Sequence, residues 1–115
     1  MNKFKEKIFV AGHNGMVGSA IVRALKKLNN DSEIITATRS QLDLVNQKSV
    51  ENFFNRYKPT QVYLAAAKVG GILANNTFRT SFIIDNLKIN TNILEACIGS
   101  PTTKIINLGS SCIYP

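Results

Sequence analysis

The residues most suited to a chemical function lie near the start of the chain, where Gly12, Gly15 and Gly18 follow an apolar run and precede an amphipathic segment. That order predicts a strand, a tight turn and the beginning of a helix, an arrangement in which the backbone binds an anion. Gly12 would permit the turn, Gly15 would let the main chain approach a pyrophosphate, and Gly18 would allow close packing of helix and strand. The helix start would then offer unpaired N–H groups and the positive end of its dipole to phosphates.

The glycines are spaced Gly-x-x-Gly-x-x-Gly, which is wider than the Gly-x-Gly-x-x-Gly fingerprint of many dinucleotide-binding turns. A plain turn that binds nothing is the alternative. The strand before it and the helix after it favour a nucleotide site. The same predicted site includes the residues between the glycines, which are His13, Asn14, Met16 and Val17.

Arg39 follows the second predicted strand, where NAD-preferring sites carry an acidic residue for the ribose 2′-hydroxyl. A guanidinium suits a 2′-phosphate instead, so this residue favours NADP, with a solvated surface arginine as the alternative. Leu42, Asp43 and Leu44 come next and could contact the adenine, although Asp43 could equally cap the following helix.

The segment after the third predicted strand consists mostly of residues with small side chains, reading Ala-Ala-Ala-Lys-Val-Gly-Gly over residues 65–71. The three alanines at 65–67 would let a bulky cofactor lie against the end of the strand, with Ala66 as a cofactor-binding residue. Lys68 would then project towards the ligand, and ordinary packing with a solvated lysine is the alternative.

Two hydroxyls and a thiol follow the fourth predicted strand, at the edge where parallel sheets place their ligands. Ser110 could bond a substrate carbonyl, and Cys112 could transfer protons if its pKa is tuned. A simple loop is the alternative.

Composition limits the chain of 115 residues to one small domain, and its apolar content of 44% suits a globular core. The net charge of +7 is scattered, which fits attraction for anionic dinucleotides and does not resemble a nucleic-acid platform.

No stretch has the length of a membrane span or a signal peptide, so we expect a cytoplasmic protein. Cys97 is expected to be buried on a helix, and no cysteine or histidine spacing indicates a metal site.

Apolar periodicity predicts strands that alternate with helices along the whole chain. The expected strands are 7–11, 33–38, 61–66 and 104–108, and the expected helices are 15–28, 47–57 and 80–98. Such an order predicts an α/β fold, a Rossmann-like doubly wound parallel sheet with strand order 3-2-1-4 and a ligand near the carboxyl end of strand one. The first helix should have an apolar side made of Val17, Ala20, Ile21, Ala24, Leu25 and Leu28. The third helix should have an inner side made of Ile83, Ile84, Leu87, Leu94, Cys97 and Ile98.

Four segments of the sequence carry a resemblance to a known family, and they are residues 12–18, 65–72, 74–76 and 108–115. In their order and spacing they resemble the GDP-L-fucose synthase family, NADP-dependent epimerase–reductases of the extended short-chain dehydrogenase/reductase superfamily. The resemblance extends from Lys7 to Pro115. It implies conversion of GDP-4-keto-6-deoxy-D-mannose to GDP-L-fucose, by epimerisation at C3 and C5 of the sugar and reduction of the C4 ketone with NADPH. Homodimers are usual in this superfamily.

The resemblance also implies roles for individual residues. Residues 12–18 would hold the pyrophosphate, and 39–44 the 2′-phosphate end of the adenosine. The nicotinamide side would be lined by Leu108, Gly109, Ser110 and Ser111. Ser110 matches the serine that binds the reacting ketone oxygen, and Cys112 matches the acid/base of epimerisation. Asn14 departs from relatives that carry a basic residue there, which weakens the preference for NADP.

A second departure concerns the Tyr-x-x-x-Lys pair through which the superfamily reduces its substrates. No tyrosine in the sequence has a lysine four residues later, and the second acid/base, a histidine further along, is also missing. We therefore expect residues 1–115 to be an incomplete NADP-binding Rossmann domain, truncated before its catalytic half and the sugar-nucleotide domain. We expect the isolated chain to be inactive and prone to self-association. A dinucleotide-binding module and an inert fragment, both without catalysis, are the alternatives.

Overall fold

A computed structural model of the chain describes residues 6–28, 31–65 and 76–107, with the backbone alone for 76–82. Strands and helices alternate, as the apolar pattern predicts. The strands are β1 (Lys7–Ala11), β2 (Glu33–Ile35), β3 (Gln61–Leu64) and β4 (Lys104–Asn107), and the helices are α1 (Met16–Lys27), α2 (Gln47–Tyr57) and α3 (Asn76–Ile98). Helix bounds agree with the sequence patterns to within a few residues, whereas β2 is half as long as expected.

The four strands form one parallel sheet in the order β2-β1-β3-β4. The parallel α/β fold is thus confirmed, but the expected order 3-2-1-4 is wrong. Residues 36–46, after β2, form turns and irregular backbone, and within the described part of the chain no strand pairs with the outer edge of β2. The apolar β3 crosses to the other side of β1, where two neighbouring strands bury Val62 and Leu64.

The main core lies on the face of the sheet covered by α2 and α3. Alternate residues of β1 and β3 point into it, among them Phe9 and Val62, both nearly free of solvent contact. Helix α2 contributes Val50 and Phe54 at one-turn spacing, and the Phe54 ring meets Phe9 edge-on with centroids 5.9 Å apart. This packing holds the start of α2 against the sheet beside the carboxyl ends of the strands.

Helix α1 packs along β1, whose Ile8 and Val10 alternate with the residues facing the main core. Its buried side contains Gly18, with Ile21 and Leu25 half-buried. The expected apolar side is therefore only partly correct. The other members of that side, which are Val17, Ala20, Ala24 and Leu28, are exposed in the described structure.

Helix α3 buries a different side from the one the sequence predicts. Cys97 is buried as expected, but the other five predicted inner residues are exposed, and these are Ile83, Ile84, Leu87, Leu94 and Ile98. The buried residues are Asn86, Ile89, Asn92, Ile93, Ala96 and Cys97. Apolar residues occur on every side of this helix, so periodicity does not select a face. Packing against α2 decides it.

Candidate functional site

The turn between β1 and α1 requires glycine at two positions for reasons internal to the fold. Gly12 has φ 85°, in the left-handed region that other residues rarely adopt. A Cβ at Gly18 would lie 1.9 Å from the carbonyl oxygen of Gly12 and 2.7 Å from its carbonyl carbon. Helix and turn are thus in backbone contact, which is the close packing that the sequence predicts.

Gly15 is different, because nothing in the described fold requires glycine there. It is the N-cap of α1 with extended backbone (φ −76°, ψ 170°), and a Cβ would make only an ordinary 3.5 Å contact with the Gly12 oxygen. Ser, Thr, Asp or Asn would cap the helix better at such a position. The absence of a side chain at this exposed position leaves room for a partner outside the chain.

The first turn of α1 leaves its backbone donors available. The first helical hydrogen bond runs from the Ser19 N–H to the Gly15 oxygen at 2.9 Å, so the N–H groups of Met16, Val17 and Gly18 precede it. Gly15 supplies no side-chain cap, and the first turn contains no acidic residue. Its partial positive charge is therefore free to attract an anion.

A cleft of about 470 Å³ opens beside this turn, at the carboxyl ends of β1 and β2. Its volume is in the range of small-molecule and cofactor pockets. It brings together most of the described residues that the sequence predicts for cofactor binding. The described lining is Phe9, Ala11, Gly12, His13, Asn14, Gly15, Ala37, Arg39, Leu42, Asp43, Leu44, Val45, Ala65 and Ile89.

Arg39 lies on the lining of this cleft with its side chain exposed. It belongs to a turn in which the N–H of Leu42 donates to the Thr38 oxygen at 2.9 Å. The hydroxyls of Thr38 and Ser40 are 3.0 Å apart on either side of it. A guanidinium with two neighbouring hydroxyls can bind a phosphate monoester.

The wall next to Arg39 consists of Leu42, Asp43 and Leu44. Leu42 is buried in the main core while still lining the cleft. The Asp43 carboxylate accepts a hydrogen bond from the Val45 N–H at 3.1 Å. Helix α2 is capped by Asn46, whose side chain accepts from the Ser49 N–H, so the alternative role of Asp43 as that cap is wrong.

Several predicted site residues lie outside the described residues, and their roles stay predictions. They are the cofactor residues Ala66, Lys68, Leu108, Gly109 and Ser111, and the catalytic residues Ser110 and Cys112. Met16, Val17 and Gly18 are described but do not line the cleft with side chains, so any contact they make would use the backbone.

Sequence reasoning missed five lining residues, Phe9, Ala11, Ala37, Val45 and Ile89. Phe9 and Ala11 could have been predicted, because alternate residues of β1 point to the same face of the sheet, and the cleft opens on that face. It also missed Asn92, whose side-chain amide donates to the Leu44 oxygen at 2.9 Å. The misjudged face of α3 hid this residue, since the predicted orientation turns it away from the core.

Other features of the described residues do not form a second centre of chemistry. Cys97 is a buried free thiol, and burial raises its pKa, which makes it less reactive. No group of metal-binding side chains occurs within residues 6–28, 31–65 and 83–107. The described helices include none that is long and apolar enough to cross a membrane.

Residues 8–115 match the model of the NAD dependent epimerase/dehydratase family. The GDP-L-fucose synthase of Escherichia coli (strain K12) is 50% identical over 111 residues, which are 96% of this chain and 34% of that protein. GDP-L-fucose synthase 1 of Arabidopsis thaliana is 50% identical over 115 residues, which are 100% of this chain and 35% of that protein. The chain thus spans about a third of the length of these relatives.

Two solved structures show the same fold with a bound cofactor. A GDP-L-fucose synthetase from Naegleria fowleri bound to NADP is 31% identical with a TM-score of 0.80, over 96% of this chain and 32% of that one. MlghC, a GDP-mannoheptose C4 reductase from Campylobacter jejuni with NADP bound, is 36% identical with a TM-score of 0.86, over 100% of this chain and 36% of that one.

Proposed function

The chain belongs to the NAD dependent epimerase/dehydratase family, and from that premise we propose that its cleft binds NADP. The turn of residues 12–18 would hold the pyrophosphate through backbone N–H groups, and Arg39 would bind the 2′-phosphate. Leu42, Asp43 and Leu44 would border the adenosine. Residues 1–115 would then form part of an NADP-binding Rossmann domain.

The single observation that carries this proposal is Gly15. It is a glycine where the fold tolerates a side chain and a helix start would gain from a capping one. A pyrophosphate lying against the main chain explains that choice, because a Cβ there would hold it away from the N–H groups of α1. The residues present therefore fit the cofactor.

For the intact protein that carries this sequence we propose the epimerase–reductase reaction that forms GDP-L-fucose from GDP-4-keto-6-deoxy-D-mannose. Relatives about 50% identical to this chain are named GDP-L-fucose synthases. NADPH supplies the hydride for the C4 ketone. Ser110 would donate a hydrogen bond to the ketone oxygen, and Cys112 would exchange protons with the sugar carbons beside it.

The test of this function is NADPH oxidation by the intact protein with GDP-4-keto-6-deoxy-D-mannose. Arg39→Ala should lower kcat/KM for NADPH by about 10- to 100-fold, since a hydrogen bond to a charged group contributes about 1.5–3 kcal/mol. Activity with NADH, which has a 2′-hydroxyl in place of the phosphate, should change little. The expected result is thus a loss of preference between the two cofactors.

Arg23→Ala is the matched control, because Arg23 is also an exposed arginine but lies on α1 away from the cleft. It should leave both cofactors unaffected. Equal losses with NADPH and NADH after Arg39→Ala would contradict the assignment of Arg39. If the wild-type protein binds NADPH without consuming the sugar nucleotide, the proposed reaction is wrong and a binding module remains.

We propose that the intact protein is a homodimer that pairs through an apolar stripe on α3. The stripe consists of Ile83, Leu87, Leu94 and Ile98, which recur at helical spacing and are all exposed. Leu87 is 59% and Ile98 85% exposed. Two copies packed stripe to stripe would bury this surface, as in a helix-bundle interface.

Leu87→Lys in the intact protein should shift the sedimentation coefficient from that of a dimer to that of a monomer. A lysine charge in the centre of the stripe would be desolvated on pairing. Leu28→Lys makes the same change at the exposed leucine that follows the last residue of α1 and should leave the dimer intact. A dimer that persists while the melting temperature of Leu87→Lys falls would show that the protein's own chain covers the stripe.

A further inference from the structure

The segment that borders the cleft at residues 42–46 consists of irregular backbone and a turn, in which the Asn46 N–H donates to the Asp43 oxygen at 3.0 Å. Outside regular helices and strands, such a segment keeps its shape through specific contacts. It is anchored at its start by the Leu42 N–H, which donates to Thr38, and by the buried Leu42 side chain. At its end Asn46 caps α2. Leu44 lies midway, is half-buried and lines the cleft.

Asn92 reaches this midpoint from another element. It lies on α3 with only 8% of its surface exposed, and its Nδ2 donates to the Leu44 carbonyl oxygen at 2.9 Å. The buried residues one turn before and directly after it are Ile89 and Ile93, so packing alone would favour an apolar side chain here. An amide at such a position indicates that its hydrogen bond has a specific use.

The same side of α3 meets the cleft at two neighbouring points. Ile89 lines the cleft directly, and Asn92 bonds to Leu44 one turn later. A further turn along, Glu95 accepts a hydrogen bond from the Gln47 side chain at 3.1 Å, in a pair that is exposed. Water competes with that outer bond, so the buried bond of Asn92 is the more effective anchor.

We propose that Asn92 is a positioning residue for the adenosine end of the cofactor site. It holds the Leu44 carbonyl, and with it the 42–44 wall, at the distance from the glycine turn that an adenosine requires. It touches no cofactor atom itself. This role rests on the proposed NADP site, since it concerns the shape of that site.

The test uses 2′,5′-ADP, which carries the adenosine and 2′-phosphate of NADP without its nicotinamide. Isothermal titration of the intact protein should give a dissociation constant about tenfold higher for Asn92→Leu than for wild type, because the Leu44 carbonyl loses its donor and the wall shifts. Asn92→Asp has nearly the same shape and also lacks the NH₂ donor. It should weaken binding by at least as much, and it serves if the leucine variant does not fold.

Thr102→Val is the matched control. The Thr102 hydroxyl donates to the Pro59 oxygen at 2.7 Å, in the loop before β4 at the opposite edge of the sheet. This variant should lower the melting temperature without changing the affinity for 2′,5′-ADP. A purely structural Asn92 would behave in the same way, so a lower melting temperature with unchanged affinity overturns its positioning role. Failure of wild type to bind 2′,5′-ADP overturns the NADP site itself and Asn92's role with it.

Discussion

Gly18→Ala is expected to lower the free energy of unfolding by about 3 kcal/mol or more, the upper range for overpacking a tight site. The new Cβ would lie 1.9 Å from the Gly12 oxygen, 2.7 Å from the Gly12 carbonyl carbon and 3.0 Å from the Cα of His13. All three are backbone atoms, so no side chain can rotate away. Either α1 moves off the sheet or the turn opens.

Chemical denaturation of the intact protein measures this effect, with Gly99→Ala as the control. Gly99 follows α3, and a Cβ there meets no atom within 4 Å. Its φ is not positive, so alanine should change the free energy of unfolding by less than about 0.5 kcal/mol. A Gly18→Ala variant as stable as Gly99→Ala would show that α1 does not pack on the turn as described.

The helices and strands could be predicted because each has its own local signal. The residues of α2 repeat apolar positions at helical spacing, and β1 is a short apolar run that ends at a glycine. These patterns depend on neighbours in sequence alone. The strand order depends on whether the chain adds a strand outside β2 or crosses β1, and no local pattern in residues 36–46 decides that.

The buried side of α3 could not be predicted for a related reason. Ile83, Leu87 and Leu94 form as regular an apolar series as Ile89, Ile93 and Ala96, so both sides suit a core. Contact with α2 selects the second series. The same error explains why Asn92 was not predicted. A polar residue on a helix face that is expected to be exposed does not indicate a buried hydrogen bond.

The candidate site was more predictable than the sheet that positions it. Gly12, Arg39 and Asp43 line one cleft even though the strand order was misjudged. The reason is that both sheet orders place β1 beside β2, and the glycine turn and the Arg39 turn follow those two strands. Residues such as Ile89 depend on the packing of α3 and could not be predicted without it.

Gly15→Ser is expected to separate folding from cofactor binding. The backbone at this position suits a serine N-cap, whose hydroxyl can accept from the first turn of α1, so the free energy of unfolding should stay within about 0.5 kcal/mol of wild type and tend to increase. The same side chain occupies the space proposed for the pyrophosphate and competes for the N–H groups that would bind it. Loss of one such hydrogen bond to a charged phosphate, which contributes about 1.5–3 kcal/mol, should weaken NADPH binding by about 10- to 100-fold.

Titration of NADPH into the intact protein, followed by its fluorescence, measures this loss beside a thermal melt. Ser19→Ala is the matched control, because the Ser19 hydroxyl bonds the Met16 oxygen on the same helix and does not line the cleft. It should leave NADPH affinity unchanged. Nothing in the described fold requires glycine at this position, so only a bound ligand would exclude a side chain there. If a stably folded Gly15→Ser variant binds NADPH as tightly as wild type, the pyrophosphate does not approach the main chain at this point.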